Sequence, residues 1–461
     1  MSFLLISLPP AAIEKPHLAM GYLLGSLKSN KIDYHFMDLN IELYHRRAEF
    51  GIEDMWQNYD VNWSEGDCFR RWKTSLSPLL EERARDIAGS PIRVIGIGAN
   101  RSNHKLASYF AGLIKQRNPS ICVVMGGPLF SSVKELHILD DHCADIFVRG
   151  EGEMFLPRLI NALLEERSIS GGNFINRMIA NKQVIDVING DIDAIPFPCY
   201  DNFDINCYRA GFLSMLASRG CVSSCAFCAD NQIWKPYRGR SVDNILSEIT
   251  MHYDHGFHVF EFNDSAINGN TRVLTDLCRG IIKSKIKLTW LGNFIPRKGM
   301  PRELFAIMAQ SGCYELRFGV ETGSQRIHRS MHKIVDLTSA EGYLRYAHEE
   351  GIHVSVNIMV GFPNEEQADF DMTLDFLERT KASIEKFSVV LPFLIYPMSE
   401  VDQCPERFGI KIPEDQHSRK EYQHWYTDEG NTLELRLQRL DTVVKFAHAN
   451  GIQVGFTRAE F

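Results

Sequence analysis

One pattern constrains the fold of this chain more than any other: short apolar runs alternate with amphipathic stretches through both halves. In the first half "SFLLISLP", "IDYHFMDLN", "RVIGIGAN", "ICVVMGGP" and "ADIFVRGEGE" read as five strands running into Pro, Gly, Asn or Asp. Between them lie helical repeats such as Leu106, Phe110, Leu113 and Ile114, closed by "RNPS". In the second half "FLSMLASR", "HVFEFN", "KLTWLGNF", "YELRFGVE", "HVSVNIMVGF" and "KFSVVLPF" give six more strands. Ser241 opens a helix that stops near Gly256, Thr338 and Glu341 form a capping box, and Asn364 with Gln367 starts the next helix.

Strands alternating with helices imply parallel sheets with ligands at the carboxyl ends of the strands. The expected α/β fold is therefore an N-terminal Rossmann-like doubly wound parallel sheet, then a partial (β/α)6 TIM-like barrel, then a small C-terminal α/β appendage. The expected boundaries are a first domain over 1–192, a proline-bearing linker over 193–205, a core over 206–400 and the appendage over 401–461. Residues 45–90, with Trp56, Trp63 and Trp72 among many charges, break the alternation and read as a helical insertion. That insertion and the last sixty residues are where substrate contacts are expected, because loops and appendages at a barrel mouth set specificity.

A net charge of -8 and a pI near 6.1 favour no nucleic-acid partner. The first residues lack a basic region and a cleavage site, and no apolar run approaches the roughly 18 residues of a membrane span. Most of the 11 cysteines are scattered, which suits a reduced compartment, so no membrane and a cytoplasmic location are expected.

Three cysteines are not scattered. "SRGCVSSCAFC" places Cys221, Cys225 and Cys228 in a C-x3-C-x2-C spacing directly after the first strand of the second half. A structural zinc ion wants four ligands, and the alternatives for a fourth are His252, His255 or Cys207. Three thiolates on one loop suit an iron-sulfur cluster instead: they hold three irons of a 4Fe-4S cluster and leave the fourth open to a substrate or cofactor chelate.

With Phe227 just before the third cysteine, this stretch resembles the radical S-adenosylmethionine (SAM) superfamily. The resemblance extends through "YRGRSVDNILSEI", "FNDSAINGN", "RFGVETGSQRIHRSMHK", "VNIMVGFPNEE" and "LPFLIYPMSE", about residues 206–400. It implies that Cys221, Cys225 and Cys228 ligate the cluster. It also implies SAM contacts from Phe227, Asp264, Gly319, Glu321, Asn357, Gly361 and Pro392. Asn364 stands where the family's fifth-strand motif usually has Gly. The alternative for Asp264 and Glu321 is that they are strand-end carboxylates capping helices, and Arg297 could face either solvent or the pocket.

The first half resembles the cobalamin-binding-like domain of the cobalamin-dependent radical SAM class, through "EKPHLAMGYLLGSL", "GANRSN", "VVMGGP" and "DIFVRGEGE". That resemblance implies cobalamin contacts from Asn100, Ser102, Gly126, Gly127, Pro128, Gly150 and Glu151. The D-x-H-x-x-G pattern whose His ligates cobalt is absent, and His17 and His104 read as solvated or packed histidines.

The class implies a 5'-deoxyadenosyl radical formed from SAM, and C-methylation of an unactivated carbon in a natural-product or peptide substrate. It also implies an external one-electron reductant such as flavodoxin or ferredoxin. The alternative is a radical epimerase, cyclase or rearrangement enzyme whose first domain is a scaffold, with Cys313 or Cys404 as possible hydrogen donors.

Overall fold

A computed structural model describes residues 3–56, 63–64, 66–128, 143–165, 174–179, 182–187, 189–413 and 424–457. It divides into two compact units, Met1–Ser214 and Met215–Phe461.

The first unit starts with β1 (Phe3–Ser7), α1 (Leu18–Ser29), β2 (Tyr34–Asp38) and α2 (Leu39–His45). It continues with α3 (Gly66–Ala88), β3 (Val94–Gly98), α4 (His104–Arg117), β4 (Cys122–Gly126), β5 (Ile146–Gly150) and α5 (Leu156–Leu164). A hairpin of β6 (Phe174–Ile179) and β7 (Lys182–Val187) follows. The sheet order is β2-β1-β3-β4-β5-β7-β6, parallel throughout except for the antiparallel β6–β7 pair. The 2-1-3-4-5 order is that of a doubly wound sheet, whose ligand crevice lies at the carboxyl ends of β1 and β3, where the strand order switches. Strands buried on both faces need continuous apolar runs, and β1 (FLLIS) is buried at every position.

The 45–90 insertion serves the core of this unit. Its long helix α3 packs on α4, and Trp63 and Trp72 are fully buried in the cluster containing Phe110 and Ile97. The Trp72 indole donates to the Trp63 carbonyl. These two tryptophans are thus packing residues. The 193–205 segment also packs within this unit. The Cys199 amide donates to Gly21 O at 2.9 Å, and Gly25 brings α1 so close to Phe197 that a Cβ would lie 2.0 Å from its carbonyl oxygen. The close approach of two backbones therefore demands glycine at that helix face.

The second unit begins at the last residue of β8 (Leu213–Met215) and continues with β9 (Ser218–Arg219), α6 (Asp230–Ile233), β10 (Arg238–Gly239), α7 (Val242–Asp254) and β11 (Val259–Phe262). Then come α8 (Thr271–Ser284), β12 (Thr289–Phe294), α9 (Arg302–Gln310), β13 (Cys313–Glu321), α10 (Gln325–Ser330) and α11 (Leu337–Glu349). The chain goes on through β14 (His353–Val360), α12 (Gln367–Thr380), β15 (Lys386–Pro392), α13 (Glu400–Gln403), α14 (Leu433–Ala449) and β16 (Gln453–Thr457). The sheet order is β16-β15-β14-β13-β12-β11-β8, with β11 through β16 parallel. Among the described residues β8 and β16 stand at its two edges, so the sheet is open. The tail does more than append: β16 pairs with β15 and supplies the seventh strand, with α14 packed on β15.

Helix starts follow local carboxylates and hydroxyls. Ser241 caps α7 by accepting from Asn244 N, as its position suggests. The expected box at Thr338 is displaced: Asp336, two residues earlier, accepts from Ser339 N and starts α11. Likewise α12 begins at a reciprocal box of Glu366 and Asp369, not at Asn364. Among the described residues no helix is long and apolar enough to cross a membrane.

Candidate functional site

The cysteine loop leaves the carboxyl end of β8 and is stapled at its root. β9 and β10 form a two-stranded antiparallel ribbon that pairs Arg219 with Arg238, so residues 220–237 are held as a closed loop. Gly220 turns the chain into it with φ +81, and a Cβ there would sit 2.5 Å from Trp234 O. Only glycine meets both demands.

Within the loop Cys225 is buried, while Cys221 and Cys228 are half-buried. The Ser223 amide donates to Cys221 Sγ at 3.4 Å, and its hydroxyl lies 3.1 Å from Cys225 Sγ. Burial pushes the Cys221 thiol up and Cys228 to about 12. Buried thiols of this kind ionise when a cation takes them as ligands, which is the chemistry of an iron-sulfur donor set. Among the described residues no three His, Cys, Asp or Glu side chains converge as ligands of one ion would. The candidate fourth zinc ligands lie elsewhere. His252 lies in the last turn of α7 and His255 is its C-cap, with His255 Nδ1 against Met251 O at 2.6 Å, and Cys207 Sγ donates to Asp204 at 3.3 Å in the first unit.

Opposite the loop stands a buried ion pair. Lys333 Nζ lies 2.9 Å from Glu321 Oε1 and 5.5 Å from the centre of the Phe227 ring. Burial opposes the ammonium charge, but Glu321 and the Cys225 and Cys221 thiols raise its pKa above the ordinary lysine value. Glu321 ends β13 in the left-handed region at φ +68, just past a register shift between Gly319 and Glu321. A non-glycine residue held there costs of order 1–3 kcal/mol and clusters at functional sites. A Cβ on Gly319 would lie 3.2 Å from both Glu321 Oε1 and Lys333 Nζ, so the glycine makes room for this pair. Asn357, the register partner of Gly319 on β14, has a buried Oδ1 that accepts no hydrogen bond among the described residues. An unsatisfied buried acceptor of this kind is what a ligand's donor would complete.

The other expected residues divide. Pro392 ends β15, and Phe393 N donates to Val360 O at 2.8 Å, so strands β14 and β15 finish together at the loop end of the sheet. Asp264 is tied to the strand end. It is fully buried, accepts from Ala217 N at 2.9 Å and from the Ser218 hydroxyl, and so clamps the backbone that feeds the cysteine loop. Arg297 spends its guanidinium on the 268–271 turn, donating to Asn268 O at 2.9 Å and Gly269 O at 3.2 Å. Cys313 is the first residue of β13, at the amino end of the strand whose carboxyl end carries Glu321. Cys404 follows α13, whose Val401 N donates to Ala226 O at 3.1 Å, so that segment touches the cysteine loop.

In the first unit the strand-end residues gather at the carboxyl edge of the sheet, but several are absorbed by the fold. Asn100 Oδ1 accepts from Ser102 N at 2.8 Å and Asn103 N at 3.1 Å, forming the turn before α4. Gly126 O accepts from Ala99 N at 2.8 Å, and Gly127 has φ +124 with a Cβ position 2.4 Å from Ala99 O. Pro128 is exposed. Gly150 approaches Val187 O equally closely, with a Cβ position 2.2 Å away. Glu151 is buried and accepts from Asn189 N at 3.2 Å. His17 caps α1 and His104 Nδ1 meets Arg101 O at 2.9 Å, so both are packed histidines.

Residues 215–377 match the radical SAM superfamily, and the second unit carries a radical SAM domain. Relatives and solved structures extend the likeness over the whole chain. An uncharacterized methyltransferase of Pyrococcus horikoshii is 29% identical over 310 residues, 65% of this chain and 67% of that protein. Cytidylyl-2-hydroxyethylphosphonate methyltransferase of Streptomyces wedmorensis is 23% identical, over 88% of this chain and 80% of that one. The radical SAM methyltransferase TsrM of Kitasatospora setae, solved with cobalamin and a 4Fe-4S cluster, superposes with a TM-score of 0.71 at 16% identity. That match covers 100% of this chain and 94% of the other, and it establishes a shared fold.

Proposed function

We propose that this chain is a cobalamin-dependent radical SAM methyltransferase that transfers a methyl group to an unactivated carbon of a small molecule or peptide. The observation that carries the proposal is the loop of Cys221, Cys225 and Cys228, stapled at the carboxyl end of a parallel sheet and faced by the Lys333–Glu321 pair. Support for the methyl-transfer half comes from two curated methyltransferases and from the fold shared with TsrM.

In this reading the three cysteines hold three irons of a 4Fe-4S cluster, and the doubly wound unit holds cobalamin at its carboxyl edge. When bound, the cluster supplies the electron that cleaves SAM, and cobalamin supplies a carrier for the methyl group. The chain's own residues position these partners. Ser223 orients two thiols, and Asp264 fixes the strand end that delivers them. Lys333 keeps positive charge beside the thiols, while Glu321 and the Asn357 carbonyl present acceptors where the amine and hydroxyls of SAM would lie. Phe227 and Pro392 add apolar surface that excludes water from the reacting centre.

The test is anaerobic incubation of the reconstituted chain with reductant and SAM bearing a deuterated methyl group. Formation of 5'-deoxyadenosine supports the radical core. Transfer of the labelled methyl to a candidate substrate supports the methyltransferase, whereas 5'-deoxyadenosine with an isomerised, unlabelled product refutes methyl transfer.

A further inference from the structure

The loop Gly361–Glu365 closes the carboxyl end of β14, beside Pro392, yet it has few hydrogen bonds of its own. Within it Glu365 N donates to Phe362 O at 2.7 Å, and the buried carbonyls of Gly361, Phe362 and Pro363 call for further donors. The C-terminal segment provides them. Asn431 Nδ2 lies 3.2 Å from Gly361 O, 3.0 Å from Phe362 O and 3.3 Å from Pro363 O. Glu365 Oε2 accepts from Gly361 N at 2.7 Å and from Arg439 Nη1 at 2.7 Å, and this ion pair is almost fully buried. The Arg436 stem lies directly over Gly361, where a Cβ would come within 2.3 Å of Arg436 Cγ, and Gly361 itself has φ +74. The Arg436 guanidinium stacks 3.7 Å above the Trp425 ring and donates to Asn431 Oδ1 at 3.2 Å, orienting the amide that holds the carbonyls.

Burying two guanidinium groups is costly, and a buried ion pair adds little stability over apolar packing. What such a network supplies is one defined geometry for the groups it binds. Asn431, Arg436 and Arg439 each meet the same five-residue loop at the end of the sheet. We infer that Asn431, Arg436 and Arg439 are positioning residues: the C-terminal segment clamps the Gly361–Glu365 loop into the shape that receives SAM, and so sets the affinity for SAM. The inference rests on the function proposed above.

The experiment uses the full chain, anaerobically reconstituted, with Asn431→Ala, Arg439→Met and Arg439→Lys variants. SAM affinity is measured by equilibrium dialysis, and the cluster is followed by iron content and by its electron paramagnetic resonance with and without SAM. The expected result is unchanged iron content and an unchanged SAM-free spectrum. SAM Kd should rise by about tenfold or more in Asn431→Ala and Arg439→Met, as loss of a buried hydrogen-bond partner produces. Arg439→Lys, which retains the charge toward Glu365, should recover most of the affinity. Folded variants that bind SAM as the parent does would overturn the clamp.

Hydrogen exchange in the unaltered chain gives a second test that survives any folding failure. SAM should slow exchange in 433–449 together with 361–365, and protection of the loop alone would also overturn the inference. If the unaltered chain binds neither iron nor SAM, the failure lies in the proposed function and the clamp falls with it.

Discussion

Asp264 offers a prediction whose size and sign both follow from its surroundings. The residue is 1% exposed, with one carboxyl oxygen on Ala217 N and the other on the Ser218 hydroxyl. Burial raises its pKa from 3.8 to about 6, with the two hydrogen bonds opposing. Because the folded pKa lies above the unfolded one, the folded chain binds the proton more tightly. Stability contributed by this group is therefore complete at low pH, falls as pH rises between about 4 and 6, and is flat beyond that. Two units at about 1.4 kcal/mol each make the penalty roughly 3 kcal/mol above about pH 7.

Asp264→Asn retains a carbonyl for Ala217 N–H and an amide that can donate to the Ser218 oxygen, while removing the ionisation. Urea unfolding of the apo chain should show Asp264→Asn more stable than the parent by up to roughly 3 kcal/mol near pH 8, with the difference shrinking toward pH 4. Asp264→Ala leaves two buried polar groups unpaired, at about 1–3 kcal/mol each, and should fall below the Asn variant at every pH. Iron content after reconstitution should follow the same order, retained with Asn and reduced with Ala. An Asn variant that keeps its iron but loses SAM affinity would refute the clamping role and restore a direct ligand contact. So would an Ala variant as stable as the Asn one.

Other expectations follow from named contacts. Lys333→Met strands the Glu321 carboxylate in a buried setting and should cost about 3–5 kcal/mol in urea unfolding; adding Glu321→Gln should return most of that loss. Gly127→Ala must place a Cβ 2.4 Å from Ala99 O at φ +124, and should destabilise the first unit by about 2 kcal/mol or more. A melting curve unchanged from the parent would contradict the backbone geometry assigned there. Cys313→Ala should leave product formation intact, since the thiol sits at the amino end of β13; loss of product with SAM cleavage preserved would reinstate it as a hydrogen donor.

Much of the framework is legible in the sequence because period and punctuation carry it. β1, β3, β4 and β5 are apolar runs that end in glycine or a polar turn, and a parallel sheet follows from their alternation with helices. The β6–β7 hairpin is less visible. Its runs "FINRMI" and "KQVIDV" alternate only weakly, although the Ala180-Asn181 step between them is a turn signal. The role of the tail is hidden for another reason: "QVGFT" is too short to declare a partner, and β16 meets β15 only in three dimensions.

The site separates the same way. Cys221, Cys225 and Cys228 are adjacent in sequence, so their spacing alone points to shared chemistry. Asp264 and Glu151 are strand-end carboxylates, and sequence cannot distinguish one that holds backbone from one that meets a ligand. Lys333 is not legible in the sequence as a partner of Glu321 because it stands twelve residues beyond it, past α10. Its signal was a lone lysine inside "RSMHKIVDL", where helix C-termini commonly carry one.

The most direct test of the central claim is the cofactor content of the anaerobically purified chain from cells supplied with cobalamin. About four irons and four sulfides per chain are expected, abolished in Cys221→Ala, together with close to one cobalamin. Zinc in place of iron, or iron that survives loss of Cys221, would contradict the assignment of the cysteine loop. A full cluster without cobalamin would leave a radical SAM domain whose first unit does not carry a methyl group.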